Sequence, residues 1–286
     1  MNPTYPLVIA MVVSLVLYQV NQRYSSPVIA IFNRWLRWFI FAFGAAVIAQ
    51  DFGWSDRPYW LLTVTFFLVY FLAETVYRWL EIHALSVSPL PLFPRFSVNA
   101  SGEEWPTHPR LLAVRDWIRR EGLKPVQSLR AEVAPSLYLR VSVYQDLSAQ
   151  LRLQVMFLPQ ANGGIVVCHS LASRTADGIR YVTDNLYLPF AGFYPENWLV
   201  ERHPWRRSLK RLIALHRARL LKAHVTLLPW DTDPLADLNA QQHALEQVNT
   251  ELGFLFPHPE REERGKMTVE GRYRVWKEIW LLNYFG

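Results

Sequence analysis

Cys168 stands next to His169, and a thiol beside an imidazole is a pairing used in nucleophilic catalysis. The two residues fall in a stretch that predicts a β-strand, where neighbouring side chains point to opposite faces of the sheet. Their side chains therefore should not meet, and Cys168 would alternate with Val166 and Ser170 as a small buried residue. We expect a structural cysteine. Because it is the one cysteine of the chain, no intramolecular disulfide can form.

The segment WDTDPLAD holds three carboxylates, of Asp231, Asp233 and Asp237, that could bind a metal ion for a nucleotide-linked substrate. However, Asp233 followed by Pro234 is also what a helix start requires, with an acceptor at the N-cap and proline in the first turn. No Gly-rich phosphate loop accompanies the acids, and the histidines lack zinc spacing. The segment predicts a helix cap, and we assign no catalytic, cofactor-binding or metal-binding residue.

Residues 202–222 carry eight Lys or Arg and no acid. At about 100° per residue, the apolar side chains gather on one side of a predicted helix over 205–224. The opposite half carries Arg206, Arg207, Lys210, Arg211, Arg217 and Lys222. An aromatic stretch over 186–205, predicted to be an irregular arm, precedes this helix and includes Trp198 and Trp205.

The cationic half of this helix has three interpretations. It is a solvated surface, or it binds anionic lipid headgroups with Trp198 and Trp205 dipping into the interface, at roughly 1 kcal/mol per basic residue that reaches the membrane. The third interpretation is that it binds nucleic acid. The order of elements, a helix, a strand meander and a basic helix, is similar to that of double-stranded RNA-binding modules. An extra strand, the arm and a small net charge argue against that interpretation.

Three apolar stretches precede these features, over residues 5–20, 35–50 and 59–80. Their lengths approach the roughly 20 residues that cross a bilayer core, and aromatic residues mark the ends of the third. Up to residue 80 the chain has five Lys or Arg and three Asp or Glu, whereas the rest has 25 and 21. The first stretch lacks the basic residues and the cleavage site of a signal peptide, so we predict three retained spans.

The loop charges give these spans an orientation. The first link carries Arg23, Arg34 and Arg37 without an acid, whereas the second carries Asp51, Asp56 and Arg57. The positive-inside rule then places the first link in the cytoplasm, the N-terminus outside, and everything after the third span inside. The sequence predicts a multi-pass protein of the inner (cytoplasmic) membrane.

Glu74 is an acid within the third predicted span, and such a carboxylate raises the hypothesis of a proton or ion site. Arg78 follows at i+4, and Arg34 and Arg37 of the second span should lie at similar depth. We expect an intramembrane ion pair of Glu74 with Arg78.

The remaining chain predicts one α+β domain. Alternating apolar residues predict four strands over 137–146, 151–158, 164–171 and 179–184, as an antiparallel meander with one apolar face covered by flanking helices. Helices are predicted over 108–122, 205–224, 234–255 and 268–285. We therefore divide the chain into a three-span transmembrane domain (1–83), a Pro/Ser-rich linker (84–106) and a cytoplasmic α+β domain (107–286).

The function predicted from these features is a non-catalytic scaffold, adaptor or assembly factor at the membrane surface. The alternatives are a membrane-associated enzyme acting on a lipid or cell-envelope precursor, and a membrane-tethered nucleic-acid-binding protein. The expected partners are the bilayer, anionic lipid headgroups and other membrane or cytoplasmic proteins. Nucleic acid is not expected, no cofactor is implied, and a homo-oligomer is left open.

Overall fold

The computed structural model describes residues 4–24, 26–159 and 165–285, and the chain forms two compact units. The helical unit comprises Met1–Ser88, Pro189–Ala191 and Glu262–Gly286, and the sheet unit comprises Pro89–Leu188 and Gly192–Arg261. These units divide the chain differently from the predicted domains. The last helix belongs to the helical unit, and the proposed linker contributes to the sheet unit.

Eight α-helices and eight strands occur in the described part of the chain. The helices are α1 (Thr4–Tyr24), α2 (Pro27–Asp51), α3 (Tyr59–Val87), α4 (Pro109–Arg120), α5 (Leu209–Ala223), α6 (Pro234–Glu251), α7 (Arg261–Arg264) and α8 (Val269–Tyr284). The strands are β1 (Ser97–Val98), β2 (Lys124–Ala134), β3 (Leu137–Gln145), β4 (Arg152–Pro159), β5 (Ile165–Thr175), β6 (Arg180–Asp184), β7 (Trp198–Arg202) and β8 (Leu227–Leu228).

The helices α1, α2 and α3 are each long and apolar enough to cross a membrane, as the sequence predicted. Most side chains of α1 are exposed, and this helix packs against α2. Between them, the Ser14 hydroxyl donates a hydrogen bond of 2.7 Å to Asn33 Oδ1. Both residues are buried, so this polar contact joins two otherwise apolar helices.

The C-terminal helix α8 packs on α2 and α3 through aromatic rings. Trp280 lies 5.8 Å from Trp38 and 5.1 Å from Phe71, measured between ring centroids. The last turn of α8 exposes carbonyl groups that lack helical partners. Arg34 Nη1 donates to Asn283 O, and Trp35 Nε1 donates to Tyr284 O, both at 3.1 Å. Side chains of α2 thus cap α8.

The segment that leads into α8 is hydrogen bonded to the end of α3. Ser86 O accepts from the Lys266 amide at 2.9 Å, and Ser86 Oγ accepts from the Met267 amide at 2.9 Å. Gly265 adopts φ +83°, and a Cβ placed there would lie 2.8 Å from Ser86 Oγ. Glycine is therefore required by both the backbone conformation and the close approach.

The sheet unit contains one mixed sheet with strand order β1-β2-β3-β4-β5-β6-β7, and β8 also pairs with β5. All pairs are antiparallel except β6 with β7, which is parallel. The α+β class and the four predicted strands are confirmed as β3 to β6. The sheet is larger than the predicted meander, because β2 was missed and part of the predicted irregular arm forms β7.

The prediction that helices cover one face of the sheet is wrong. Register pairs Val141 with Met156 and Tyr144 with Leu153, so the apolar residues of β3 and β4 point to opposite faces. Helices α4 and α5 cover the face that carries Leu153, whereas α6 covers the face that carries Val141. The sheet therefore has a hydrophobic core on each of its two faces.

Two features of the sequence analysis lie outside the described residues. These are the start of the predicted strand at Gly164 and the side chain of Arg23.

Candidate functional site

Helix α5 forms the cationic surface that the sequence singled out. Ser208 is its N-cap and accepts from the Arg211 amide. The helix ends at Ala223, and the C-cap residue His224 adopts the left-handed conformation with φ 50°. Its buried side chains meet the sheet face that α4 also covers. They are Leu209, Leu212, Ile213, His216 and Leu220.

All six predicted basic residues of this surface are exposed, and we call them the α5 basic face. Within the described residues, no carboxylate forms an ion pair with Arg206, Lys210, Arg211, Arg217 or Lys222. Like charges one turn apart repel each other, so an uncompensated face of this kind favours an anionic partner.

Arg207 differs from its neighbours, because burial lowers the pKa of its guanidinium. Its side chain is exposed but lies within electrostatic range of Cys168. Arg219 points inward from the same helix: its Nη1 donates to Val182 O at 2.8 Å and its Nη2 to Leu199 O at 2.9 Å. Arg219 is therefore not part of the α5 basic face.

The two tryptophans predicted to dip into a membrane interface have different surroundings. Trp198 is on β7, partly buried, with the guanidinium of Arg180 5.3 Å from its ring centroid. Trp205 is 37% exposed and precedes α5. The predicted arm that contains both tryptophans is hydrogen bonded to α6, because Asn249 accepts from the Phe193 amide and donates to Phe193 O. Trp205 therefore lies exposed next to the α5 basic face, whereas Trp198 packs against Arg180 within the sheet unit.

A buried cluster of arginines, which the sequence analysis missed, lies on the α6 face of the sheet. Arg152 is fully buried and pairs with Asp237 at 2.8 Å, and Arg180 holds the same carboxylate through two hydrogen bonds of 2.9 and 3.0 Å. Both guanidiniums lie within 4.8 Å of the Trp230 ring centroid. Asp237 therefore fixes the first turn of α6 to the sheet.

The neighbouring acids have the roles of a helix start. Asp233 is the N-cap of α6 and accepts from the Ala236 amide at 3.1 Å, with Pro234 following, which confirms the predicted cap. Asp231 pairs with Arg174 at the surface. In the described part of the chain, no three His, Cys, Asp or Glu side chains come together as a metal site.

On the other sheet face, His216 of α5 bridges two hydroxyl groups. Its Nδ1 lies 2.9 Å from Thr183 Oγ1 and its Nε2 lies 3.1 Å from Ser173 Oγ. Ser173 donates its proton to Gln150 O, so it accepts from His216, and this assigns a neutral imidazole protonated on Nε2. Burial, with nearby Arg219 and Arg217, lowers the pKa of His216 to about 4.

Cys168 and His169 are adjacent on β5, and both are buried. Their cross-strand neighbours, Met156 and Val155, lie on opposite faces of the sheet. Burial raises the pKa of the Cys168 thiol to about 11 and lowers that of His169 to about 4. These are the properties of an inert thiol and a neutral core histidine.

Glu74 and Arg78 of α3 form an ion pair, with Arg78 Nη2 2.8 Å from Glu74 Oε1. The same guanidinium contacts Glu81 at 2.6 Å. Arg34, expected at a similar depth, reaches α8 through Asn283 O. An apolar groove of about 400 Å³ lies elsewhere in the helical unit, between α1 and α2.

No protein-family model matches this chain, and no curated protein or solved structure is significantly similar to it. The structure shows three long apolar helices and an α+β unit that is built on one mixed sheet. The arguments for its function rest on the geometry described above.

Proposed function

We propose that this chain is a membrane-anchored, non-catalytic adaptor whose α5 basic face binds anionic phospholipid surfaces. In this proposal α1, α2 and α3 cross the inner membrane, with the N-terminus outside and the sheet unit in the cytoplasm. The observation that carries it is the set of exposed cations on α5, of which five have no carboxylate partner among the described residues.

Two features of α5 support this proposal. The helix is anchored to the sheet by five buried side chains, so its backbone is already ordered and binding has to order only the basic side chains. Trp205, exposed beside the first turn, supplies an amphipathic ring of the kind found at lipid interfaces. Each cation that reaches an anionic surface contributes roughly 1 kcal/mol.

The test uses the full chain in nanodiscs of phosphatidylcholine, mixed with a second population of vesicles. We expect flotation with vesicles made of equal parts phosphatidylcholine and phosphatidylglycerol, and little with phosphatidylcholine alone. Replacing Arg206, Arg207, Lys210 and Arg211 with Gln should weaken this capture at least about tenfold.

The matched control removes four arginines from α4 of the same unit, by replacing Arg110, Arg115, Arg119 and Arg120 with Gln. This variant should retain most of the capture. Equal losses in the two variants would show that the binding is diffuse and not a property of α5, and unchanged capture in the α5 variant would refute the proposal. A reporter fused at the C-terminus tests the orientation, since periplasmic activity would contradict it.

A further inference from the structure

Arg37 of α2 is exposed, although it lies in a helix apolar enough to cross a membrane. No carboxylate pairs with it among the described residues. Phe41 follows one turn later on the same side of α2, and its ring centroid is 5.4 Å from that of Tyr70 on α3. Arg37 therefore faces α3 along a seam shared with Tyr70.

The facing side of α3 presents a phenol and charged groups at successive turns. Tyr70, Glu74 and Arg78 are spaced by four residues and so lie on one side of the helix. The Tyr70 hydroxyl is within electrostatic range of Glu74 as well as of Arg37, Arg34 and Arg78, and no described residue forms a hydrogen bond with it. The Arg37 guanidinium and the Tyr70 hydroxyl thus lie near the same seam, and each can take a further hydrogen-bond partner.

The arginines near this seam differ in their partners. Arg34 binds the Asn283 carbonyl, and Arg78 contacts the carboxylates of both Glu74 and Glu81, whereas Arg37 has no carboxylate partner among the described residues. A positive charge inside or beside a hydrocarbon layer is costly unless an anion or water neutralises it. A monoanionic group would neutralise Arg37.

We propose that the seam between α2 and α3 binds the phosphate of an anionic phospholipid headgroup through the Arg37 guanidinium and the Tyr70 hydroxyl. Guanidinium matches phosphate oxygens with paired hydrogen bonds, and the phenol adds a third donor. The inference rests on the membrane placement of the proposed function, but not on lipid binding by α5. It assigns a discrete site, with one bound lipid for each chain.

The test is native mass spectrometry of the full chain in mild detergent, titrated with phosphatidylglycerol or phosphatidylcholine. The wild-type chain should retain one phosphatidylglycerol, and Arg37→Gln should weaken this retention about fivefold. Tyr70→Phe keeps the ring and should weaken it less. Arg37→Lys keeps the charge but loses the paired hydrogen bonds, so its retention should lie between those of the wild type and Arg37→Gln. Arg57→Gln, which removes an exposed arginine from the α2–α3 link, is the matched control and should have no effect.

Three results with these variants would overturn the proposal. The first is equal retention by wild type and Arg37→Gln, and the second is an equal loss in Arg57→Gln. The third is a loss found only in the variant with four glutamines on α5, which would place the lipid on that surface instead. Inorganic phosphate added with phosphatidylcholine should not compete with phosphatidylglycerol; full competition would identify free phosphate as the ligand and overturn the lipid assignment.

Discussion

The helical unit and the sheet unit both place arginines in apolar surroundings, and they neutralise them differently. In the sheet unit, Arg152 and Arg180 share the carboxylate of Asp237 beneath the Trp230 ring. In the helical unit, Arg34 binds a backbone carbonyl at the end of α8, and Arg78 holds two carboxylates of its own helix. The sheet unit neutralises these two arginines with its own carboxylate, whereas Arg37 has no carboxylate partner among the described residues.

This difference agrees with the surroundings that the proposed function gives to each unit. A core that excludes water must supply every counter-charge from the chain, because an unpaired buried ion costs several kcal/mol. A helix bundle in a bilayer meets a layer of phosphate groups at its ends, so a cation there has partners outside the chain. The comparison predicts that substitutions in the Arg152–Asp237–Arg180 cluster act on folding, whereas those at Arg37 act on binding.

The largest effect should come from Asp237→Ala, which leaves two buried guanidiniums without their carboxylate. We expect a loss of about 4 kcal/mol in the free energy of unfolding, from the removal of one partner of a buried ion pair. Chemical denaturation of the full chain in mild detergent, followed by circular dichroism, measures it. Asp231→Ala is the control: Asp231 is mostly exposed, so its loss should hardly change stability. Similar losses would contradict the distinction between buried and exposed pairs.

A second prediction concerns acid stability of the sheet unit. His169 and His216 have pKa values near 4 in the folded chain, against 6.5 for ordinary histidine. The unfolded chain therefore binds protons first as the pH falls, and the folded state loses stability between pH 6.5 and 4, by up to roughly 3 kcal/mol for each residue. Above pH 7 the two histidines should add no pH dependence.

Denaturation midpoints measured across this pH range test the second prediction. His216→Gln keeps a donor and an acceptor but cannot be protonated, so it should remove about half of the acid-dependent loss. His224→Gln, at the exposed end of α5, should leave the loss unchanged. An unaltered pH profile in His216→Gln would show that His216 does not titrate with folding.

Local patterns in the sequence predicted much of the fold. The apolar helices, the strands β3 to β6, the Asp233 cap and the Glu74–Arg78 spacing all depend on residues within a few positions of one another. Strand β2 was missed because it shows no clear alternation, and its place is set by pairing with β3. The two-sided sheet was missed for a related reason, since the faces depend on register between strands.

The candidate sites also divide into those that local sequence patterns predict and those that depend on contacts between distant residues. The α5 basic face was predictable because helical periodicity alone sorts its residues. The Arg152–Asp237 pair joins residues 85 positions apart, and no pattern in either segment indicates the other. The packing of α8 on α2 and α3 was equally hidden, because its contacts join the two ends of the chain.

The third prediction concerns Gly265→Ala in the helical unit, where we expect a smaller loss in the free energy of unfolding. A Cβ there lies 2.8 Å from Ser86 Oγ and 3.2 Å from Val87 Cγ1, and φ is +83°. We expect a loss of about 2 kcal/mol, from backbone strain and steric overlap together. Gly178→Ala separates the two causes, since Gly178 has φ +81° but open space around its Cβ position. If both variants lose the same stability, the close approach of Gly265 to α3 contributes nothing. A larger loss for Gly265→Ala, partly relieved by Ser86→Ala, would show that this contact stabilises the return of the chain to the helical unit.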